Sequence, residues 1–195
     1  MEVIGKDYNQ LQVFATEFLI NDKTLHFVVS DSKKNLQVFT YAPRDPESYS
    51  GQKLLVEGDI HLGHLVNRFL RMQRRPYREG EKTRQQLAWF AGSNGAIGFI
   101  SPAPEEVFRR LLALQTKMNS YLAHYAGLNP RGFRLFRPEF KLTRPAKKNI
   151  LDGELLARFP HLGLNDQKQL CHQIGSTPDR VTEDLLELDF GAELL

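Results

Sequence analysis

The hydrophobic period of this chain changes once, near Ser101, and that change constrains the fold more than any other feature. Before it, short apolar runs alternate with period two. After it, apolar residues recur every three or four positions. Strand side chains alternate between faces, whereas helix residues three and four apart share one face. The pattern predicts strands first and helices second, a mixed β then α chain.

In the first half, runs rich in Val, Ile, Leu, Phe and Thr fall at 11–20, 24–30, 36–41, 54–62, 65–71, 85–91 and 96–100. Leu25, Phe27 and Val29 are predicted to share one face, and Leu54, Val56, Ile60 and Leu62 another. Turn residues separate the runs, and the pair Asn94-Gly95 suits a type I′ hairpin. Short strands in succession with no helix between them argue for antiparallel sheets. In the second half, Val107, Leu111, Leu114, Met118 and Leu122 line one helix face. Residues 127–148 read as a basic linker, followed by helices at 152–161, 165–174 and 178–188. Asp152 and Thr177 are predicted caps, Pro178 suits a first helical position, and Gly175 and Gly191 are predicted stops. Two domains are expected, 1–101 and 102–195.

The 195 residues are 41% apolar and 25% charged, which supports a packed core. A lone cysteine, Cys171, excludes an internal disulfide and fits a reducing compartment. The N-terminus lacks a basic segment followed by an apolar run, so no secretory leader is read. No stretch approaches the roughly 18 apolar residues of a membrane span. The net charge of +3 is too small to identify a nucleic-acid partner by itself.

Two basic clusters are candidate contacts for RNA or a protein partner. The first holds Arg68, Arg71, Arg74, Arg75, Arg78, Lys82 and Arg84, with Tyr77 among them and Glu79 and Glu81 diluting it. The second holds Arg131, Arg134, Arg137, Lys141, Arg144, Lys147 and Lys148, interleaved with Phe133, Phe136 and Phe140. Phosphate contacts and base stacking would use such residues. Packing of the phenylalanines and contact with a protein partner are the favoured alternative. The helix–Gly turn–helix at 170–188 has the outline of a DNA reader, but Asp179, Glu183, Asp184 and Glu187 against Arg180 would repel phosphates. Those acids solvate the outer face or meet a basic partner.

No catalytic set is legible. His61 and His64 do not converge on a metal, and Cys171 and His172 point about 100° apart on a helix. The glycines of SNGAIG lack dinucleotide-binding spacing. No metal, cofactor or small-molecule substrate is expected, and no enzyme.

Five segments carry a resemblance: SDSKKNLQVFTY, HLGHLVNRF, SNGAIGFISP, HYAGLNPRGFR and ILDGELLARF, in that order. Together they resemble the C-terminal end of the large subunits of the cleavage and polyadenylation specificity factor. That family shares its architecture with the damaged-DNA-binding protein large subunit and a propeller subunit of splicing factor 3b. The resemblance implies partial β-propeller blades followed by a small helical C-terminal domain. It implies a non-catalytic scaffold in nuclear pre-mRNA 3′-end processing, with other subunits of that complex as partners and RNA close by. The alternatives are a paralogous adaptor in DNA repair or ubiquitin ligation, and a nucleic-acid-binding module acting through 127–148. A blade needs about four strands, so these strands are not expected to close a ring alone, and a fragment or truncated product is expected.

Overall fold

The computed structural model describes residues 3–76, 85–141 and 144–192. Seven strands come first: β1 (Val13–Asn21), β2 (Thr24–Asp31), β3 (Asn35–Tyr41), β4 (Leu55–His61), β5 (Val66–Gln73), β6 (Gln86–Gly92) and β7 (Ile97–Ile100). Helices α1 (Glu105–Tyr121), α2 (Pro130–Phe133), α3 (Gly153–Leu156), α4 (Leu164–Gln173) and α5 (Pro178–Ala192) follow. The strands form two antiparallel sheets, β1-β2-β3-β4 and β5-β6-β7, each with neighbours in chain order. This is the β then α order expected, with open up-and-down sheets of the kind that make propeller blades. Among the described residues no helix is long and apolar enough to cross a membrane.

The sheets meet through apolar side chains and a few directed bonds. Leu19, Val28, Leu36 and Ile60 from the first sheet bury with Val66, Phe69 and Ala88 from the second. The Ser30 hydroxyl donates to the Val66 carbonyl at 3.0 Å, and the Ile20 N–H donates to Gln86 Oε1 at 2.8 Å. The opposite face of the first sheet holds a smaller cluster of Val29, Phe39 and Val56.

Val56 and Ile60 therefore lie on opposite faces, against the expectation that they share one. The register explains it: Val38 pairs with Gly58 while Phe39 pairs with Val56, so Glu57 is an extra residue. One inserted residue reverses the alternation of everything beyond it. A second correction concerns the β6–β7 turn. Gly95 has a φ of 83°, Asn94 is not left-handed, and the Gly95 N–H donates to the Gly92 carbonyl. That is a type I turn closed by a left-handed glycine, not a type I′ pair.

The helices pack around α1. Val107, Leu111, Leu114 and Met118 bury with Leu156, Phe159, Leu170, Cys171 and Val181. Burial pushes the Cys171 thiol up, which keeps it protonated and apolar in character. Gly175, at φ 68°, ends α4 as expected. Gly191 does not end α5: it lies buried inside the helix, and its carbonyl accepts the Arg75 N–H at 3.2 Å. Here glycine supplies close approach rather than a stop. Contacts divide the chain into two units. One holds the seven strands together with Leu135–Ile150, and the other holds α1–α5.

Candidate partner interface

The segment Leu135–Ile150 is a strap fixed to the first sheet by two buried polar anchors. The first is Asn35, 1% exposed, at the start of β3. Its Nδ2 donates to Asp31 Oδ2 at 2.8 Å and to the Arg137 carbonyl at 2.9 Å. Its Oδ1 accepts the Arg137 N–H at 3.1 Å and lies 3.0 Å from His61 Nδ1. Asp31 also accepts the N–H groups of Lys33 and Asn35, which closes the β2–β3 turn. Burial nevertheless raises the Asp31 carboxyl above the usual carboxylate range, more than those hydrogen bonds lower it. Next to this anchor, the Ser32 hydroxyl donates to Glu139 Oε2 at 2.8 Å.

The second anchor is Asp59 on β4, an edge strand of its sheet. Its carboxylate takes a two-pronged guanidinium from Arg144, at 2.7 and 3.0 Å. It also accepts the Lys147 N–H at 2.8 Å, while its own N–H donates to the Lys147 carbonyl at 2.7 Å. The strap thus satisfies the Asp59 backbone N–H, which a bare edge would leave to solvent.

The helical unit uses arginines in the same way. Arg134 reaches Asp152 at 2.9 and 3.2 Å and Glu154 at 2.8 Å. Asp152 therefore holds Arg134 instead of capping α3, and its N–H donates to Gln115 Oε1 at 2.7 Å. Arg110 pairs with the buried Asp184.

The basic residues singled out in the sequence end in different places. Arg134 and Arg144 are in the ion pairs just described. Arg74 is buried and donates to Gln85 Oε1 at 2.8 Å. Arg71 lies 3.8 Å over the Phe18 ring. Arg75 is half-buried. Arg68, on β5, and Arg131, on α2, are exposed. Arg137, Lys141, Lys147 and Lys148 are exposed on the strap. Arg78 lies outside the described residues, as do Tyr77, Lys82 and Arg84. Of the interleaved aromatics, Phe136 and Phe140 are half-buried and Phe133 is exposed.

Sequence reasoning missed the anchors themselves, Asn35, Asp59 and Glu139. The Asp31 to Asn35 spacing was the one available signal, since an Asp accepting N–H groups two and four residues on marks a tight turn. Nothing local identifies Asp59, whose partner lies 85 residues away.

Among the described residues no group of three or more His, Cys, Asp or Glu could hold a metal. His61 ends β4 and His64 sits in the following turn, beside Phe90 at 6.0 Å between ring centroids. A hollow bordered by Leu11, Asp31, Phe136 and Phe140 has space for roughly one water molecule.

Open antiparallel sheets braced by a strap and followed by helices define a β then α protein of partial blades. The chain belongs to the family described as the CPSF A subunit region, which matches residues 1–161. It is 41% identical over 197 residues to the probable cleavage and polyadenylation specificity factor subunit 1 of Oryza sativa subsp. japonica. It is 42% identical over 195 residues to the subunit 1 of Arabidopsis thaliana, and 32% identical over 196 residues to that of Drosophila melanogaster. These alignments cover 100%, 100% and 97% of the chain but only 14%, 14% and 13% of the relatives.

Proposed function

We propose that this chain is a non-catalytic scaffold region of a nuclear complex that cleaves and polyadenylates pre-mRNA. The observation that carries the reading is the use made of its buried carboxylates. Asp59, Asp152 and Asp184 each take an arginine from a distant segment and hold that segment in place. Catalytic carboxylates need room for a substrate and a perturbed proton affinity; these three are occupied by guanidinium groups. The names of the relatives, all specificity factor subunits, support the assignment to polyadenylation. The partners are then other subunits of that complex.

Affinity purification of the tagged chain from nuclear extract tests this. Recovery of polyadenylation subunits is expected. Recovery of a cullin ligase instead would favour the paralogous adaptor role and end the present one.

A second reading, direct RNA contact, is favoured by one observation: Arg137, Lys141, Lys147 and Lys148 are exposed on a strap that is itself anchored. RNA affinity measured across salt tests it. A slope lost in the combined Arg137→Ala, Lys141→Ala and Lys147→Ala variant supports contact, and a flat wild-type profile excludes it. Arg134 and Arg144 are unsuitable for this variant, because removing either one breaks an internal ion pair.

A further inference from the structure

We propose that Asn94, at the tip of the β6–β7 hairpin, is a site of spontaneous deamidation that places a new carboxylate beside His64. The reaction needs a side-chain amide that the next backbone nitrogen can reach. The sequence holds one Asn-Gly pair, Asn94-Gly95, and one Asp-Gly pair, Asp152-Gly153, which offers the same ring closure. A glycine leaves its own nitrogen unshielded, because it has no Cβ. Every other asparagine precedes a residue with a Cβ, and Pro130, after Asn129, has no N–H at all. The fold treats the two glycine pairs differently. Asn94 and Gly95 are exposed, and a Cβ built on Gly95 would meet no atom within 4 Å. Asp152 is buried, and both its carboxylate oxygens accept from Arg134, at 2.9 and 3.2 Å. Its carboxyl is thus held against the rotation that ring closure demands.

In the first step the Gly95 nitrogen gives up its proton to hydroxide and attacks Asn94 Cγ. The C–N bond of the side-chain amide breaks, ammonia leaves with a proton from water, and a cyclic imide closes. Water then adds to either imide carbonyl. Opening at Cγ gives aspartate. Opening at the main-chain carbon gives isoaspartate, whose backbone runs through the side chain and is longer by a methylene. Nothing is oxidised or reduced: water enters and ammonia leaves. Charge develops on Asn94 Oδ1 as the nitrogen adds, and that oxygen already accepts the Ala96 N–H at 3.2 Å. Against this, the Gly95 N–H donates to the Gly92 carbonyl at 3.1 Å and must let go first. An exposed hairpin tip opens at low free-energy cost, so the fold delays the attack without blocking it. The point that a Gly92 Cβ would occupy lies 2.8 Å from Asn94 Oδ1 and 2.6 Å from His64 Cδ2. A carboxylate in place of the amide therefore stands beside an imidazole and favours its protonated form. The isoaspartate form lengthens the connection between β6 and β7 and disturbs the register of Ile97–Ile100.

The test incubates the whole chain in mildly alkaline buffer and maps its peptides by mass spectrometry, which reads the mass gained when an amide becomes an acid. The Asn94 peptide is expected to convert at least about tenfold faster than any other asparagine peptide. It is expected to resolve into two acidic products, of which a methyltransferase specific for isoaspartyl carboxylates labels one. Asn94→Gln is expected to remove that label, because its longer side chain closes the ring poorly. Asn94→Asp, which supplies the aspartate product directly, is expected to raise the pH at which His64 titrates by NMR. In urea, isoaspartate is expected at Asp152 as well, since unfolding frees its carboxyl from Arg134, while in the native chain Asp152 is expected to stay unchanged. Conversion of Asn94 no faster than that of the other asparagines overturns the inference. So does isoaspartate accumulating at Asp152 in the native chain as fast as at Asn94, or a His64 titration that Asn94→Asp leaves unmoved.

Discussion

Asp59 has no exposed side-chain surface, and its carboxylate is balanced by Arg144 and the Lys147 N–H. Removing one member of a buried pair leaves an uncompensated charge, so Arg144→Ala is expected to destabilise the chain by about 3 kcal/mol. A denaturant melt measures that cost. A double-mutant cycle with Asp59→Ala is expected to return a coupling of about 0.5–3 kcal/mol. Glu57, the bulge residue, gives a pH prediction. Its hydrogen bond with His26 lowers its carboxyl below the ordinary 4.5, against the opposing effect of burial. A carboxyl lowered on folding contributes stability that is present above its unfolded value and is lost as pH falls through the folded one. The destabilisation by Glu57→Gln is therefore expected to be larger at neutral pH than well below pH 4.5, as read from melts at both. Asp31 has the opposite sign. Its raised carboxyl favours the folded state in acid, and that contribution declines as pH rises through the raised value.

At the scale of elements, the bulge at Glu57 and the glycine after it work together. The reversed alternation turns Gly58 toward the larger strand cluster, where a Cβ would come within 2.7 Å of Ile150 Cγ1. Gly58→Ala is thus expected to cost about 1–3 kcal/mol in a thermal melt, since overpacking forces side chains off their rotamers. Helix α1 gives the complementary case. Leu111 is fully buried among residues from α1, α3, α4 and α5, so Leu111→Ala is expected to cost about 2–5 kcal/mol through the cavity it leaves. The α1 stripe was legible in the sequence because its apolar spacing matches one helix face. The face assignment of β4 was not, because a bulge is defined by its pairing with β3 and has no signature within β4 itself.

At the scale of the whole molecule, the proposed RNA contact through the strap would have a bounded salt dependence. Four cations are exposed on it among the described residues, and single-stranded nucleic acid releases about 0.7 counterion per phosphate neutralised. If those four make all the contacts, the logarithm of affinity is expected to fall with the logarithm of salt at a slope no steeper than about −3. A steeper slope in titrations of the full chain would require cations from elsewhere. The sequence by itself determined the order of strands and helices, the apolar face of α1 and the family, since each is written in local spacing or in contiguous motifs. Only the tertiary structure decided which charges are anchors and which face outward. Arg144 and Lys148 are alike in a run of basic residues, and they differ because Asp59, 85 residues before Arg144, is buried within reach of one guanidinium. An ion pair forms between groups that folding brings together, and a linear pattern carries no distance between them.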